Sequence, residues 1–499
     1  MTGPESVVLP LHHSPILCRV VFDSAKVEYN FYSAKKNLIF FIFSHPFPLF
    51  LLCKPLGRGF SGDGKLHRRA LSVKKNENNE KMSIKYRLIL MNLLQYGVWG
   101  AYLTSMGSYL ASSALAEYIG YFYAMQGIVS LFMPALMGVV ADRWVPAQRL
   151  LGVCHLLAAL FIGGAWFYTT LPDGGAWPLF ALYSLSVMFY MPTIALSYSV
   201  AYNALEGRGE DPVRSYPPIR VWGTVGFIVA MLVCDFAGWQ LSSAQFLFSS
   251  VLGLALGLYS FTLPKCPTLS GQSHKNLSDA LGLRALSLFR ERRMAIFFIF
   301  SMLLGVSLQI TNGFANPFIT AFKDVPEYAS TFGANHANAL ISLSQISETL
   351  CILLIPFALR RFGIKYVMLI AMLAWVLRFG LFGVGNPGEG VWMFLLSMII
   401  YGIAFDFFNI SGSLYINEQT DDEIRSSAQG LFMIMTNGIG ATIGTLTAQV
   451  VVNRFVYSQT DGVAQIAGWQ TSWLIFAAYS LVVAVLFALL FKNRYVQTK

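Results

Sequence analysis

Apolar runs of about 20 residues recur along this 499-residue chain, and no other feature limits its fold so strongly. A helix of about that length crosses the hydrocarbon of a bilayer, and only helices or closed barrels satisfy their backbone there. The composition agrees, with 55% hydrophobic and 12% charged residues and a mean hydropathy of +0.56. A soluble protein carries about 25% charged residues. One soluble core could not hide so many apolar runs. The chain is therefore expected to be an all-α polytopic membrane protein.

From Met82 the pattern predicts twelve transmembrane helices, at about 87–111, 118–140, 150–171, 177–202, 218–239, 244–263, 295–319, 337–358, 366–385, 391–415, 428–452 and 469–491. If the N-terminus is cytoplasmic, the even-numbered loops and the two tails hold 19 Lys and Arg. Lys323 and Arg454 alone fall in loops on the other side, while Arg220 and Arg378 lie within spans. That bias predicts an N-in, C-in orientation. The longest connection divides the spans into two six-helix halves, 82–264 and 294–499. This cytoplasmic linker, 265–293, contains LSDALGLRALSLFRERR, expected to be an amphipathic helix lying along the membrane surface.

Residues 1–81 do not share the pattern. Their one apolar run, 37–53, is interrupted by Pro46 and Pro48, and no small-residue cleavage site follows it. Just before Met82 stands KKNENNEK, a string that purine-rich DNA ahead of a bacterial start codon would encode. Residues 1–81 are thus expected to be a non-native upstream extension or disordered, with Met82 the true start. They also hold 12 of the 35 basic and 6 of the 25 acidic residues. What remains of the +10 net charge is spread over short loops, which indicates topology rather than nucleic-acid binding. The six Cys show no CxxC spacing, so neither a metal site nor a disulfide framework is expected.

Four polar groups interrupt the spans. The stretch Leu396–Ser413 carries Asp406 near its middle, with Tyr401 and Phe405 four residues apart on one face. An intramembrane carboxylate costs several kcal/mol, so its default reading is functional. Asp406 could exchange a proton, or it could be held permanently by Arg378. SLSQISETL (342–350) places Gln345 and Glu348 at i, i+3, where a buried carboxylate must be paired or protonated. LQITNGFAN (308–316) puts Gln309, Asn312 and Asn316 on one stripe, suited to a neutral polar ligand or to interhelical bonding. YPPIRVWGTVGF (216–227) aligns Arg220, Thr224 and Phe227; the bland alternative is an Arg220 that snorkels to the interface. Gln95, Trp99 and Tyr102 form a weaker stripe, and His155 reads as a hydrogen-bonded packing residue. Aromatic plates among carboxamides, with no cluster of cations for phosphate, suit a nucleoside or a sugar. The residues alone do not separate the two.

The loop GVVADRWVPAQR (138–149) resembles the signature of the major facilitator superfamily at Gly138, Asp142 and Arg143, although the later Gly-Arg-Arg part is missing. Its counterpart RRFGIK (360–365) echoes it in the second half. The resemblance implies halves that rock about a midplane site, with Gly138, Asp142 and Arg143 in a gating and structural role. Further, PPIRVWGTVGF, SQISETL, YGIAFDFFNISGS and SSAQGLFMIMTNGIG resemble the bacterial nucleoside:proton symporters, a likeness that covers essentially all of 82–499. It implies a substrate site lined by Arg220, Thr224, Phe227, Gln309, Asn312, Gln345, Glu348, Tyr401 and Phe405. It also implies proton coupling at Asp406, with Glu348 the other candidate. The expected protein is a secondary transporter, not an enzyme, in the bacterial cytoplasmic (inner) membrane. Its partners would be nucleosides, protons and membrane lipid, with no nucleic acid, no metal and no cofactor; the proton gradient is the energy source and a monomer the expected state. A sugar:proton symporter is the alternative within transport, and a non-transporting receptor a more distant one. Neither HExxH nor Gly-x-Ser-x-Gly is present to support an enzyme.

Overall fold

The computed structural model describes residues 83–172, 175–267 and 283–491, together with the backbone of four short strands nearer the N-terminus. It divides into two units, 1–74 and 75–499. In the first, β1 (Ile16–Cys18) pairs antiparallel with β4 (Tyr29–Phe31), and β2 (Val21–Phe22) with β3 (Ala25–Lys26). The expectation of a non-native or disordered segment otherwise lies outside the described residues.

The described residues of the second unit form helices joined by turns and short connections, with no strand among them. Its principal helices are α1 (83–100), α2 (Met106–Ser112), α3 (Ile119–Ser130), α4 (Met133–Arg143), α5 (Ala147–Thr169), α6 (Ala176–Glu206), α7 (Pro217–Phe236) and α8 (Ala244–Ser260). After the connection come α9 (Arg292–Ala321), α10 (Ala337–Cys351), α11 (Ile355–Val384), α12 (Val391–Gln419), α13 (Asp422–Met433), α14 (Ala441–Val452) and α15 (Gly462–Leu490). Nine continuous helical runs among the described residues are long and apolar enough to cross a membrane, so the chain is a multi-pass membrane protein.

One of these runs, Ala337–Val384, has 48 residues and would far outreach a bilayer core of about 30 Å if straight. Gly363 divides it. Its φ of +76° is open to glycine and strained for other residues, and it falls inside the turn expected at 360–365. Elsewhere the helices depart from regularity where periodicity gave no sign. The first span is interrupted by turns at 101–105, and π-helical segments run over Ile434–Gly440 and Asn453–Tyr457.

Small residues set the closest approaches. A Cβ at Gly226 would overlap the Leu93 backbone, and one at Gly100 the Phe227 backbone, so α1 and α7 meet main chain to main chain. The same device joins α9 to the π-helical segment, where Gly305 lies against Thr436. Gly138 is different, because a Cβ there meets nothing. Asp142 is exposed at the end of α4 and makes no ion pair among the described residues.

The amphipathic stretch of the connection is described only in its second half. Residues 277–282 lie outside the described residues, and Leu283–Arg290 is a 3₁₀ helix rather than an α-helix. Its apolar residues Ala285 and Leu288 are buried against α9 and α13, while Leu286 is exposed. A 3₁₀ turn eclipses i and i+3, which brings these two residues onto one protein-facing edge.

Bonds between helices preceding the connection and those following it gather at one end of the bundle. Thr104 donates to Asn338 Oδ1 at 2.9 Å, and Ser108 to Asn316 Oδ1 at 2.5 Å. Asp235 accepts from the Ala339 amide at 3.2 Å and lies 3.3 Å from His336 Nδ1. Gln240 donates to the Asn335 carbonyl, and Gln449 Oε1 accepts from the Gly120 amide.

Gly226→Ala should cost about 1–3 kcal/mol through overpacking, whereas Gly138→Ala should change stability by less than about 0.5 kcal/mol. Thermal unfolding of the two variants in detergent compares them directly.

Candidate functional site

Arg220 lies one turn into α7, behind Pro217 and Pro218, which suit a first helical turn because the missing amide is not needed there. Its guanidinium is 3.8 Å from the Tyr96 ring centroid, and its Nε donates to the Tyr198 hydroxyl at 3.1 Å. It is therefore held inside the bundle and does not snorkel. Thr224 is half-buried one turn further along. Phe227 is buried, edge-on to Trp99 at 6.3 Å.

Across from α7 stands α10, which packs against it. Glu348 on α10 is half-buried and within electrostatic reach of Arg220, but the two form no ion pair. The charge of Glu348 also reaches Asp406 and Tyr401 on α12. Gln345 lies near the Tyr401 hydroxyl. The rings of Tyr401 and Phe405 are 5.8 Å apart and inclined by only 3°, a parallel pair of plates. Asp406 is 5% exposed, with Oδ2 buried and unpartnered. Helical repetition produces this grouping: Tyr401 and Phe405 share a face, and Asp406 is turned by about 100° from Phe405.

Arg378 does not pair with Asp406. It is fully buried in α11, where Nη1 donates to the Ser397 carbonyl at 2.5 Å and the guanidinium lies 4.7 Å from the Tyr401 ring. The Ser397 hydroxyl donates back to the Arg378 carbonyl at 3.1 Å. Arg378 thus holds α11 to α12 and backs the aromatic pair, which leaves Asp406 without a cation.

Gln309 and Asn312 sit together on α9, Asn312 donating to Gln309 at 3.0 Å, and no bond ties them to the other site residues. Asn316 belongs to the seam instead, accepting from Ser108 and donating to Asn338. Gln95 and His155 pack together, His155 Nε2 bonding Gln95 Oε1 at 2.7 Å while Gln95 donates to Thr193. Tyr102 is buried between Tyr183 and Phe246. Only Trp99 of that stripe reaches the site.

Several residues that line the interior were not singled out by the sequence. A cleft beside Phe405 is bounded by Leu308, Trp375, Asn409, Thr436 and Asn437. Asn409 was within reach of sequence reasoning, three residues after Asp406 in the same span. Thr436 and Asn437 were not, because the π-helical segment that turns them inward has no sequence period.

The model of the nucleoside H+ symporter family matches residues 82–495. The chain belongs to this family. It is 47% identical to the xanthosine permease of Escherichia coli K12 over 417 residues, 82% of this chain and 96% of that protein. It is 44% identical to the nucleoside permease NupG of the same organism over 419 residues, 83% and 98% of the two chains. The crystal structure of the nucleoside transporter NupG superposes with a TM-score of 0.75 at 43% identity, covering 82% of this chain and all of that one. A D-xylose-proton symporter, 16% identical, matches with a TM-score of 0.57 over 81% of this chain and 97% of its own, a likeness of fold alone. This nucleoside H+ symporter has the major-facilitator type of fold, and it is a secondary transporter rather than an enzyme.

Arg378→Gln removes a cation that braces two helices and leaves Asp406 as it was. The variant should lose roughly 2–3 kcal/mol of stability while keeping the pH dependence of uptake. Thermal unfolding read beside a pH profile of transport checks both halves of that expectation.

Proposed function

We propose that this symporter carries nucleosides together with protons across the cytoplasmic (inner) membrane of a bacterium by alternating access. The observation that carries the reading is that two carboxyls, Glu348 and Asp406, lie within electrostatic reach of one another beside a parallel aromatic pair inside a membrane-spanning bundle. Family membership supplies the substrate class, and the relatives named for xanthosine and for nucleosides support it.

The runs divide into twelve spans when Ala337–Val384 is split at Gly363 and when 83–112 and Ala244–Ser260 are added. Six precede the 265–293 connection and six follow it, forming halves 82–264 and 294–499. The bias of Lys and Arg supports an N-in, C-in orientation. The bonded end of the seam then faces outward, and opening to that side requires the contacts of Thr104, Ser108, Asp235 and Gln449 to break. The gating role of Gly138, Asp142 and Arg143 rests on the resemblance alone.

In the site, the plates of Tyr401 and Phe405, with Phe227 opposite, suit a stacked base. Gln309, Asn312, Gln345 and Glu348 offer donors and acceptors for ribose hydroxyls and base edges, and Arg220 and Thr224 complete the set from α7. The proton's place is Asp406. With no cation beside it, its charge faces Glu348, and burial makes the ionised form costly. A proton taken from outside neutralises the carboxylate and lets the loaded carrier turn inward. Release to the cytoplasm restores the charge and opposes return with the site full. Energy coupling needs only this differential stability of two states.

Asp406→Asn should keep nucleoside binding and counterflow but lose uphill accumulation, since the amide fixes the neutral state. Glu348→Gln should weaken binding by about tenfold, the worth of one charge-assisted hydrogen bond. Proteoliposomes given labelled uridine measure both, and competition by unlabelled sugars tests the nucleoside assignment. Full gradient-driven accumulation by Asp406→Asn would remove that residue from coupling.

A further inference from the structure

We propose that Tyr198 and Tyr96 are positioning residues for nucleoside binding, fixing the Arg220 guanidinium so that its two Nη groups serve the site. This rests on the reading of Arg220 as a substrate-binding residue. Arginine carries a long, flexible stem, and its value in recognition depends on having its planar fork held in one orientation. Two independent contacts hold it here. The Tyr96 ring covers one face of the guanidinium at 3.8 Å, and the Tyr198 hydroxyl takes the Nε proton at 3.1 Å. The two tyrosine hydroxyls are 3.4 Å apart, which joins the contacts into one network.

That network is anchored behind the site. Tyr198 packs edge-on against Tyr216 at 5.4 Å, and the Tyr216 hydroxyl donates to Asn92 Oδ1 at 3.1 Å. The support therefore draws on α1, α6 and the start of α7, all of them helices that precede the connection. Glu348, on the other side of the seam, is not part of it. Arg220 moves with one group of helices and meets Glu348 only by the approach of the other.

Gly223 is the third part of the arrangement. A Cβ there would lie 2.6 Å from Tyr96 Cδ2 and 2.8 Å from Arg220 Nη1. The ring and the guanidinium can stack only because position 223 has no side chain. The spacing Arg220-x-x-Gly223 puts that gap one turn along the same face. With Nε engaged and one face covered, the Nη groups are what remains to meet a ligand hydroxyl or carbonyl. Lysine could not substitute, having neither the plane nor the Nε donor.

The test is a set of double-mutant cycles read by uridine binding to the purified full-length protein, with thermal stability measured in parallel. Tyr198→Phe should weaken uridine affinity by roughly tenfold, the loss of one hydrogen bond to a charged group. Tyr96→Phe keeps the ring and should stay within about twofold, whereas Tyr96→Leu should weaken binding by roughly three- to tenfold. In the Arg220→Ala background all three substitutions should have no further effect on affinity, because their action passes through the guanidinium. Unchanged affinity in Tyr198→Phe would overturn the inference. So would losses that add in full to that of Arg220→Ala, since tyrosines that merely support the fold would weaken binding in either background. If Arg220→Ala itself binds uridine normally, the substrate-binding role of Arg220 fails first and the inference with it.

Discussion

An ionised side chain in bilayer hydrocarbon costs several kcal/mol unless its surroundings compensate it. Arg220, Glu348, Arg378 and Asp406 all lie inside spans of this symporter, and much of the interior answers to them. The two arginines are compensated by aromatic faces and single hydrogen bonds, Arg220 by Tyr96 and Tyr198, and Arg378 by Tyr401 and the Ser397 carbonyl. Neither is neutralised by a carboxylate. Glu348 feels the charge of Arg220, whereas Asp406 faces only Glu348, and two carboxylates in a common low-dielectric space disfavour double ionisation. A site that prefers to hold one proton is what a proton-coupled carrier needs.

The aromatic pair connects this electrostatic arrangement to substrate recognition. Tyr401 lies beside the Arg378 guanidinium and parallel to Phe405, with Gln345 near its hydroxyl. The plate that suits a nucleobase is thus rigidly mounted on the helix that carries Asp406, one residue beyond Phe405. Any displacement of α12 that accompanies binding moves the carboxylate as well. On the proposed reading, coupling of the two ligands requires no long pathway, since both would bear on one helix.

Much of this was legible in the sequence, for identifiable reasons. A bilayer imposes a length on every span, so hydropathy found the long apolar helices, with ends up to seven residues off, and put a turn at 360–365, where Gly363 breaks the run. Polar residues inside spans are conspicuous, which brought out Asp406, Glu348 and Arg220 together with the aromatics at helical spacing beside them. Partners were harder to foresee. Arg378 looked like the natural counterion of Asp406, yet it bonds a neighbouring carbonyl, because the approach of two helices is not written in either one's period. The break at 101–105 and the π-helical segment carrying Asn437 were invisible for a related reason. They are local departures from 3.6 residues per turn that tertiary packing stabilises.

The account stands on the claim that proton entry drives nucleoside accumulation through this interior. Its most direct test is the steady-state uridine level in proteoliposomes given a pH gradient, acidic outside, with the membrane potential clamped at zero. The account predicts accumulation above the external concentration, rising with the gradient and collapsing to equality when a protonophore is added. A steady state equal to the external concentration at every gradient would contradict it.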